Sequence, residues 1–207
     1  MEIKTIKTKW SDGELKQNTY IVEFEDFAIM IDAGCSLKAV TELTQKPIKA
    51  MFITHGHFDH VLHIEGFDQN GFKIYGQKDL KHVISDKDLN VSYVKSFHIQ
   101  NFQPIENDCV IDVDGVNVEC YLTPGHSIDG VVYKIGDNLF SGDTVFSIAV
   151  GRTDLAGGNP QQLIESLDKI QTIDYKVLLP GHGRTSTKNE QIENIKKWQK
   201  FLKENKF

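Results

Sequence analysis

The sequence is poor in the features that mark disulfide-rich, membrane-spanning or nucleic-acid-binding proteins. It has only three cysteines, Cys35, Cys109 and Cys120, and no Cys-x-x-Cys pair, so reduced thiols with a structural role are expected. No apolar run approaches the length needed to cross a bilayer. The net charge of −6 argues against a nucleic-acid surface. The start of the sequence has neither an apolar segment nor a cleavage site, which predicts a cytoplasmic protein.

Linkers, low-complexity tracts and blocks of like charge are also missing. The 207 residues are 40% hydrophobic, which is ordinary for a globular protein with a buried core. We therefore expect a single domain over residues 1–207.

Short apolar runs alternate with turn signals and predict a strand-rich fold. The predicted strands are residues 3–8, 19–24, 27–31, 50–53, 73–75, 109–113, 116–122, 131–135, 138–140 and 176–179. Three pairs of turn residues, Glu25-Asp26, Asp114-Gly115 and Gly136-Asp137, predict hairpins between adjacent strands.

Helices are fewer and are spread over both halves of the chain. Asn159-Pro160 predicts a helix start, because Asn caps and Pro suits the first turn. Residues 189–205 carry an apolar stripe of Ile192, Ile195, Trp198 and Leu202, typical of a helix packed on a sheet. Further helices are predicted over residues 37–44 and near His60. This distribution predicts an α/β sandwich with helices outside two sheets.

The segment T-H-G-H-F-D-H at residues 54–60 contains several potential metal ligands close together. It places His55, His57, Asp59 and His60 within six residues. Imidazole and carboxylate suit zinc, iron or manganese. Packing them together without a cation would cost desolvation and leave polar groups unmatched, which favours a metal site over a merely histidine-rich loop.

Three later turns repeat one arrangement, in which an apolar strand ends and a potential ligand follows glycine. T-P-G-H ends at His126, S-G-D at Asp143 and P-G-H at His182. Glycine permits a sharp turn and close backbone approach, and loops at strand ends hold ligands with little reorganisation. With the 54–60 segment, these turns complete a set of seven candidate ligands. Seven exceed what one tetrahedral zinc needs and suit two metals that share a carboxylate, as in metal-assisted hydrolysis.

The remaining histidines lack such contexts. We interpret His63, His82 and His98 as surface or packing residues, although His63 lies one helical turn beyond His60.

Together, T-H-G-H-F-D-H at 54–60, T-P-G-H-S at 123–127, S-G-D at 141–143, P-G-H-G at 180–183 and I-D-A-G at 31–34 resemble the metallo-β-lactamase superfamily in order and spacing. Within it, the likeness is greatest to glyoxalase II-like (hydroxyacylglutathione hydrolase-like) enzymes. The segment G-R-T-D-L-A-G-G at 151–158 is similar to their short, bacterial type.

The resemblance implies a four-layer αββα sandwich with a metal site at one edge of the sheets. It assigns the first metal to His55, His57 and His126, the second to Asp59, His60 and His182, and the bridging position to Asp143. The implied cofactors are two divalent metal ions, with zinc favoured and iron or manganese as alternatives.

The resemblance also implies a reaction, in which a metal-bridging hydroxide attacks the carbonyl of a small-molecule thioester such as S-2-hydroxyacylglutathione. Asp59 could orient the nucleophile as well as bind metal, and Asp32 matches a position that helps to orient ligands. The expected protein acts as a monomer or homodimer, without nucleic-acid or membrane partners.

Two departures from the glyoxalase II pattern concern the substrate. Leu62-His63 stands where a Gly-Gly pair is common. We also expect the added helical region that contacts glutathione to be absent after residues 189–205. Arg152 could contact substrate, but an internal salt bridge with an aspartate is an equal alternative.

Other activities on the same fold remain open. A mononuclear iron oxygenase resembling persulfide dioxygenases would use His55, His126 and Asp143. A lactonase or an RNase Z-like activity would use the same metal motif, but the sequence has no basic stripe for the nuclease. A β-lactamase is disfavoured, because many secreted zinc β-lactamases have cysteine at the position of Asp143. A non-catalytic metal-binding module is the remaining alternative.

Overall fold

The computed structural model describes residues 1–9 and 16–204. Its strands are β1 Glu2–Thr8, β2 Gln17–Glu23, β3 Ala28–Ile31, β4 Ile48–Phe52, β5 Ile74–Gln77, β6 Phe102–Ile105, β7 Cys109–Val113, β8 Val116–Leu122, β9 Val131–Ile135, β10 Asn138–Gly142, β11 Val177–Pro180 and β12 Ser186–Thr187. Its helices are α1 Leu37–Leu43, α2 Phe58–Val61, α3 Ile64–Gln69, α4 Leu80–Ser85, α5 Pro160–Thr172 and α6 Lys188–Glu204.

The strands form two six-stranded mixed sheets. The first has the order β1-β2-β3-β4-β5-β6 and the second β12-β11-β10-β9-β8-β7. In the first sheet, β1, β2 and β3 are antiparallel neighbours, and β3 to β6 run parallel. In the second, β7 to β10 form an antiparallel meander, and β10 and β11 are parallel.

Side-chain alternation explains why the two sheets stack. Along β2, Tyr20 and Val22 join the core between the sheets, whereas Ile21 faces the opposite side. Successive side chains of a strand point to opposite faces, so a strand with both faces covered is apolar throughout. Phe52 lies in the inter-sheet core, stacked on Tyr75 at 4.8 Å between ring centroids.

Helices cover the outer face of each sheet. Val40 of α1, Phe67 of α3 and Leu80 of α4 belong to the apolar cluster on the outside of the first sheet. On the outside of the second sheet, Leu163 of α5 and Ile195 of α6 lie in a third cluster. The four-layer αββα sandwich expected from the sequence is therefore confirmed.

Most elements predicted from the sequence are present. Every predicted strand overlaps an observed one, and the three hairpin turns join antiparallel pairs. At the start of α5, the Asn159 side chain accepts a hydrogen bond from the backbone N–H of Gln162 at 3.0 Å, as a cap does. The predicted C-terminal helix begins at Lys188, and its predicted last residue, Asn205, lies outside the described residues.

The differences concern short elements. Strands β6 and β12 and helix α4 were not predicted, and the strand predicted at 73–75 is Ile74–Gln77. The helix expected near His60 is two short helices, α2 and α3, that meet at Leu62-His63. Over the residues that the structure describes, no helix combines the length and hydrophobicity needed to cross a membrane.

Replacement of Phe52 by Ala tests the inter-sheet core. Phe52 is fully buried between Tyr75 and Tyr133. Because the substitution removes the ring and leaves a cavity, we expect Phe52→Ala to lower the free energy of unfolding by about 3–5 kcal/mol in urea titrations. Val110→Ala, at an exposed position of β7, is the control and should change it by less than about 0.5 kcal/mol. Equal effects of the two substitutions would contradict this account of the core.

Candidate metal centre

The seven predicted ligands lie at the carboxyl ends of strands from both sheets. His55, His57, Asp59 and His60 follow β4 of the first sheet, the last two within the short helix α2. His126 follows β8, Asp143 follows β10 and His182 follows β11, all in the second sheet. All seven side chains therefore meet at one edge of the sandwich.

The donor atoms form three overlapping groups, each with atoms within 4.8 Å of one another. The groups are His55, His57 and His126; His55, His60 and Asp143; and Asp59, His60 and His182. The first and third groups coincide with the two ligand sets that the resemblance implied. The residues of the alternative iron oxygenase set are also close together, since His55 shares one group with His126 and another with Asp143, and His126 Nε2 lies 3.7 Å from Asp143 Oδ2.

Asp143 lies between the two histidine sets. One carboxylate oxygen, Oδ2, is 3.7 Å from Nε2 of His126 and 3.4 Å from Nε2 of His182. The other, Oδ1, is 3.3 Å from Nε2 of His60. Asp143 therefore lies near donor atoms of both sets, as the bridging assignment implied by the resemblance would need.

Hydrogen bonds at Nδ1 orient four of the imidazole rings. His126 Nδ1 donates to the Arg152 carbonyl at 2.8 Å, and His182 Nδ1 donates to the Lys16 carbonyl at 3.1 Å. Such a bond holds the proton on Nδ1 and leaves Nε2 free to bind a metal.

The other two rings are oriented through Asp32. His60 Nδ1 donates to Asp32 Oδ2 at 2.7 Å, and the Thr54 hydroxyl donates to the same carboxylate at 3.0 Å. Because its proton goes to Asp32, the Thr54 oxygen accepts from His55 Nδ1 at 3.2 Å. Asp32 has a φ of 64°, a conformation that aspartate tolerates better than most residues. These contacts support the role expected for Asp32 in orienting the ligands.

Burial and charge divide the histidines into two kinds. Burial lowers the pKa of His57 to about 3 and holds that of His55 well below its usual value. Burial would also lower the pKa of His60 and His182, but nearby carboxylates, Asp143 foremost, raise it above the usual range, to about 10 for His182. Neutral imidazoles can bind a metal directly, and protonated ones must release a proton when a metal binds.

The donor set suits a metal. Among the described residues, Nε2 of His55, His57, His60 and His126 and Oδ1 of Asp143 are buried without a hydrogen-bond partner. Buried polar atoms are rarely left unpartnered, because each costs desolvation free energy. Nitrogen and oxygen donors that converge in this way fit zinc, iron or manganese.

Glycine is required where the ligand turns approach each other. A Cβ on Gly181 would collide with the carboxylate of Asp143 and the ring of His60. Gly142 has a φ of 48°, and a Cβ there would lie 2.5 Å from the Thr54 hydroxyl oxygen. The close backbone approach expected of the Gly-His and Gly-Asp turns is confirmed at both positions.

The other residues singled out in the sequence lie outside the cluster. His82 and His98 are exposed, and His63 is partly buried at the start of α3. Arg152 donates two hydrogen bonds, of 2.7 and 2.6 Å, to the carboxylate of Asp154, so the salt-bridge alternative is observed.

One acidic residue beside the site was not singled out. Asp129 is almost fully buried, accepts a hydrogen bond from the Ser127 hydroxyl, and has its pKa raised to about 6 by burial. Its only sequence signal is its position three residues after His126.

Comparison with known proteins agrees with this geometry. The sequence profile of the metallo-beta-lactamase superfamily matches residues 12–182. The probable metallo-hydrolase YqgX of Bacillus subtilis (strain 168) is 30% identical over 196 residues, which cover 88% of this chain and 92% of YqgX. The chain therefore belongs to the metallo-beta-lactamase superfamily.

Two solved structures are similar over nearly their whole length. The B3 metallo-beta-lactamase BLEG-1 is 26% identical with a TM-score of 0.79, over 93% of this chain and 97% of BLEG-1. TTHA1623 in a di-iron-bound form is 26% identical with a TM-score of 0.76, over 92% of this chain and 97% of TTHA1623.

Replacement of Asp32 by Asn tests how the ligands are oriented. If the Asn oxygen keeps the hydrogen bond from the Thr54 backbone N–H, the Asn NH₂ faces His60 Nδ1, donor against donor. His60 must then carry its proton on Nε2, where it cannot bind metal. We expect Asp32→Asn to weaken binding of one zinc equivalent by about 10- to 100-fold in competition with a chromophoric chelator.

Asp114→Asn is the matched control. Asp114 also has a positive φ, of 49°, but lies in an exposed turn where it pairs with Lys49. Its substitution should leave zinc affinity unchanged. Equal affinities in the two variants would refute the orienting role of Asp32.

Proposed function

We propose that this protein is a binuclear metal-dependent hydrolase of a small-molecule thioester, similar to glyoxalase II. The observation that carries the proposal is the placement of Asp143 between the two histidine sets, 3.7 Å from His126 and 3.4 Å from His182. A single structural metal needs four ligands and no such carboxylate. The description of YqgX as a probable metallo-hydrolase supports hydrolysis as the reaction class.

The residues divide between two metal positions. His55, His57 and His126 would hold the first metal, Asp59, His60 and His182 the second, and Asp143 both. When bound, the two metals supply an activated water nucleophile at neutral pH and polarise the carbonyl that it attacks. Zinc is the favoured metal, and the di-iron form of TTHA1623 makes iron the first alternative.

The protein itself contributes position and proton handling. Asp59 Oδ2 is 3.1 Å from Nε2 of His182, and the Asp59 side chain is about one-tenth exposed. This carboxylate can accept a hydrogen bond from the attacking water and hold its proton. A thioester needs little help with its leaving group, because a thiolate leaves readily. The site therefore requires no separate general acid for the sulfur.

Arg152 is a cation near His126, but its guanidinium is already paired with Asp154. S-2-hydroxyacylglutathione is the first substrate to assay, and thioesters of other small thiols are the next. The proposed location is the cytoplasm, where such thioesters and reduced thiols occur together.

Metal removal and restoration test the proposal. Protein stripped with a chelator should hydrolyse neither S-lactoylglutathione nor a short-chain acyl thioester of another thiol, measured by thiol release. Addition of two equivalents of zinc, iron or manganese should restore turnover. Absence of turnover with every thioester in protein that carries two metals per chain would refute the proposal. Oxygen consumption with glutathione persulfide, at one iron per chain, would support the oxygenase instead.

Substitution of Asp59 tests its proposed part in the reaction. Because Asn cannot hold the proton of the water, Asp59→Asn should lower kcat by about 100-fold or more and change KM little. Asp174→Asn, at an exposed position before β11, is the control and should match the wild type. Metal content is measured in each sample, since Asp59 is also a proposed ligand. An unchanged kcat at full metal loading would exclude the assigned role.

A further inference from the structure

Asp143 and the carbonyl that orients His126 are the two ends of one short loop. We define the Asp143 loop as residues 143–152. Its ends are held together by a hydrogen bond from Gly151 N–H to the Thr144 carbonyl at 3.2 Å, and its tip is closed by one from Phe146 N–H to the Ala149 carbonyl at 2.8 Å. The loop therefore delivers a carboxylate at one end and the Arg152 carbonyl, 2.8 Å from His126 Nδ1, at the other.

Helix α6 donates side-chain hydrogen bonds to successive carbonyls at the tip of this loop. Gln191 Nε2 donates to the Ser147 carbonyl at 3.2 Å. Asn194 Nδ2 lies 3.1 Å from the Phe146 carbonyl and 3.3 Å from the Ala149 carbonyl. Trp198 Nε1 donates to the Ile148 carbonyl at 3.1 Å.

The three donors lie on one face of the helix. Residues 191, 194 and 198 are spaced by three and four, which places their side chains side by side. Asn194 is the central donor of the row, and it contacts both carbonyls that flank the loop tip.

The ends of the loop are held differently from its tip. Val145 and Val150 are buried in the apolar cluster that also contains Ile195 and Leu202 of α6. Ile148 at the tip is 73% exposed. A cavity of about 290 Å³ is lined by Val150–Asp154 and, on the helix side, by Trp198, Phe201 and Leu202. The hydrogen bonds of α6 therefore act on the loop tip, whereas apolar burial acts on the residues nearer its ends.

We propose that Asn194 is a positioning residue of the metal centre, which acts through the Asp143 loop on Asp143 and His126. The inference rests on the metal centre of the proposed function but not on its thioester substrate. Loss of the Asn194 amide would free the loop tip and, with it, the carboxylate and the carbonyl at the two ends. Groups that hydrogen-bond metal ligands directly change metal affinity by about 10- to 100-fold, and Asn194 acts at a further remove, so an effect at the lower end of that range is expected.

Metal affinity and a metal spectrum test this role directly. We expect Asn194→Ala to weaken zinc binding by about 10-fold in competition with a chromophoric chelator. The visible absorption bands of the cobalt-loaded variant should change in intensity or position at full loading, because Asp143 and His126 are less well held. Asn194→Gln, which keeps the amide donor, should recover part of the affinity.

Gln199→Ala is the matched control. Gln199 is an amide side chain on the same helix, but it donates to the Ile164 carbonyl and to Asp168 in α5, away from the Asp143 loop. If α6 served only the general stability of the fold, both substitutions would lower metal affinity equally. Zinc affinity and the cobalt spectrum should instead stay at wild-type values in Gln199→Ala.

A second variant covers the case in which Asn194→Ala fails to fold. Trp198→Phe keeps an aromatic ring and removes only the N–H that donates to Ile148, and it should weaken zinc binding in the same direction but less. The inference would be overturned if Asn194→Ala kept wild-type zinc affinity and an unchanged cobalt spectrum. If only Trp198→Phe folds, the same result in that variant would overturn it. An equal loss of affinity in Gln199→Ala would also overturn it. If zinc affinity falls as expected while wild-type protein hydrolyses no thioester, the positioning role stands and the proposed function fails.

Discussion

The metal centre depends on hydrogen bonds that tie the two sheets together beside the ligand turns. The Tyr133 hydroxyl of the second sheet donates to the carbonyl of Ile53 in the first, at 2.6 Å. In the reverse direction, the Tyr20 hydroxyl donates to the carbonyl of Pro180 at 2.7 Å. Both carbonyls lie within two residues of a candidate ligand. Because the ligands come from both sheets, a shift of one sheet against the other would separate donor atoms that must lie within a few ångströms.

Many polar groups are buried at one edge of the sandwich, and four of the five imidazole rings there make a hydrogen bond through Nδ1. Backbone carbonyls hold His126 and His182, and Asp32 holds His60 directly and His55 through Thr54. Among the described residues, five atoms of the cluster are buried without a hydrogen-bond partner, which is costly unless a cation binds: Nε2 of His55, His57, His60 and His126, and Oδ1 of Asp143. The unpartnered donor atoms therefore favour metal binding over the metal-free cluster. A bound cation would also offset the charge of the buried carboxylates.

Much of the fold was predictable from local sequence patterns, and the exceptions depend on how strands are placed in the sheets. Strands such as β8 and β9 show apolar periodicity and are bounded by turn residues, so their pattern is visible locally. Strand β6 contains Pro104, which normally argues against a strand and is tolerated here because β6 is an edge strand. Strand β12 has two residues and exists only because it pairs with β11. Likewise, Cys109 and Cys120 appear unrelated in sequence but are opposed across the β7–β8 pair.

The residue order alone indicates the kinds of donor group that the site offers. It specifies which residue types follow which strands, and glycine before His182 and Asp143 indicates close approach of the backbone. The residue order does not reveal that Asp143 lies between two histidine sets, that the Arg152 carbonyl orients His126, or that α6 contacts the loop joining them. The physical reason is that these contacts join segments far apart in the chain. The distances between these segments depend on how two sheets and a helix pack. The spacing of residues along one strand does not predict them.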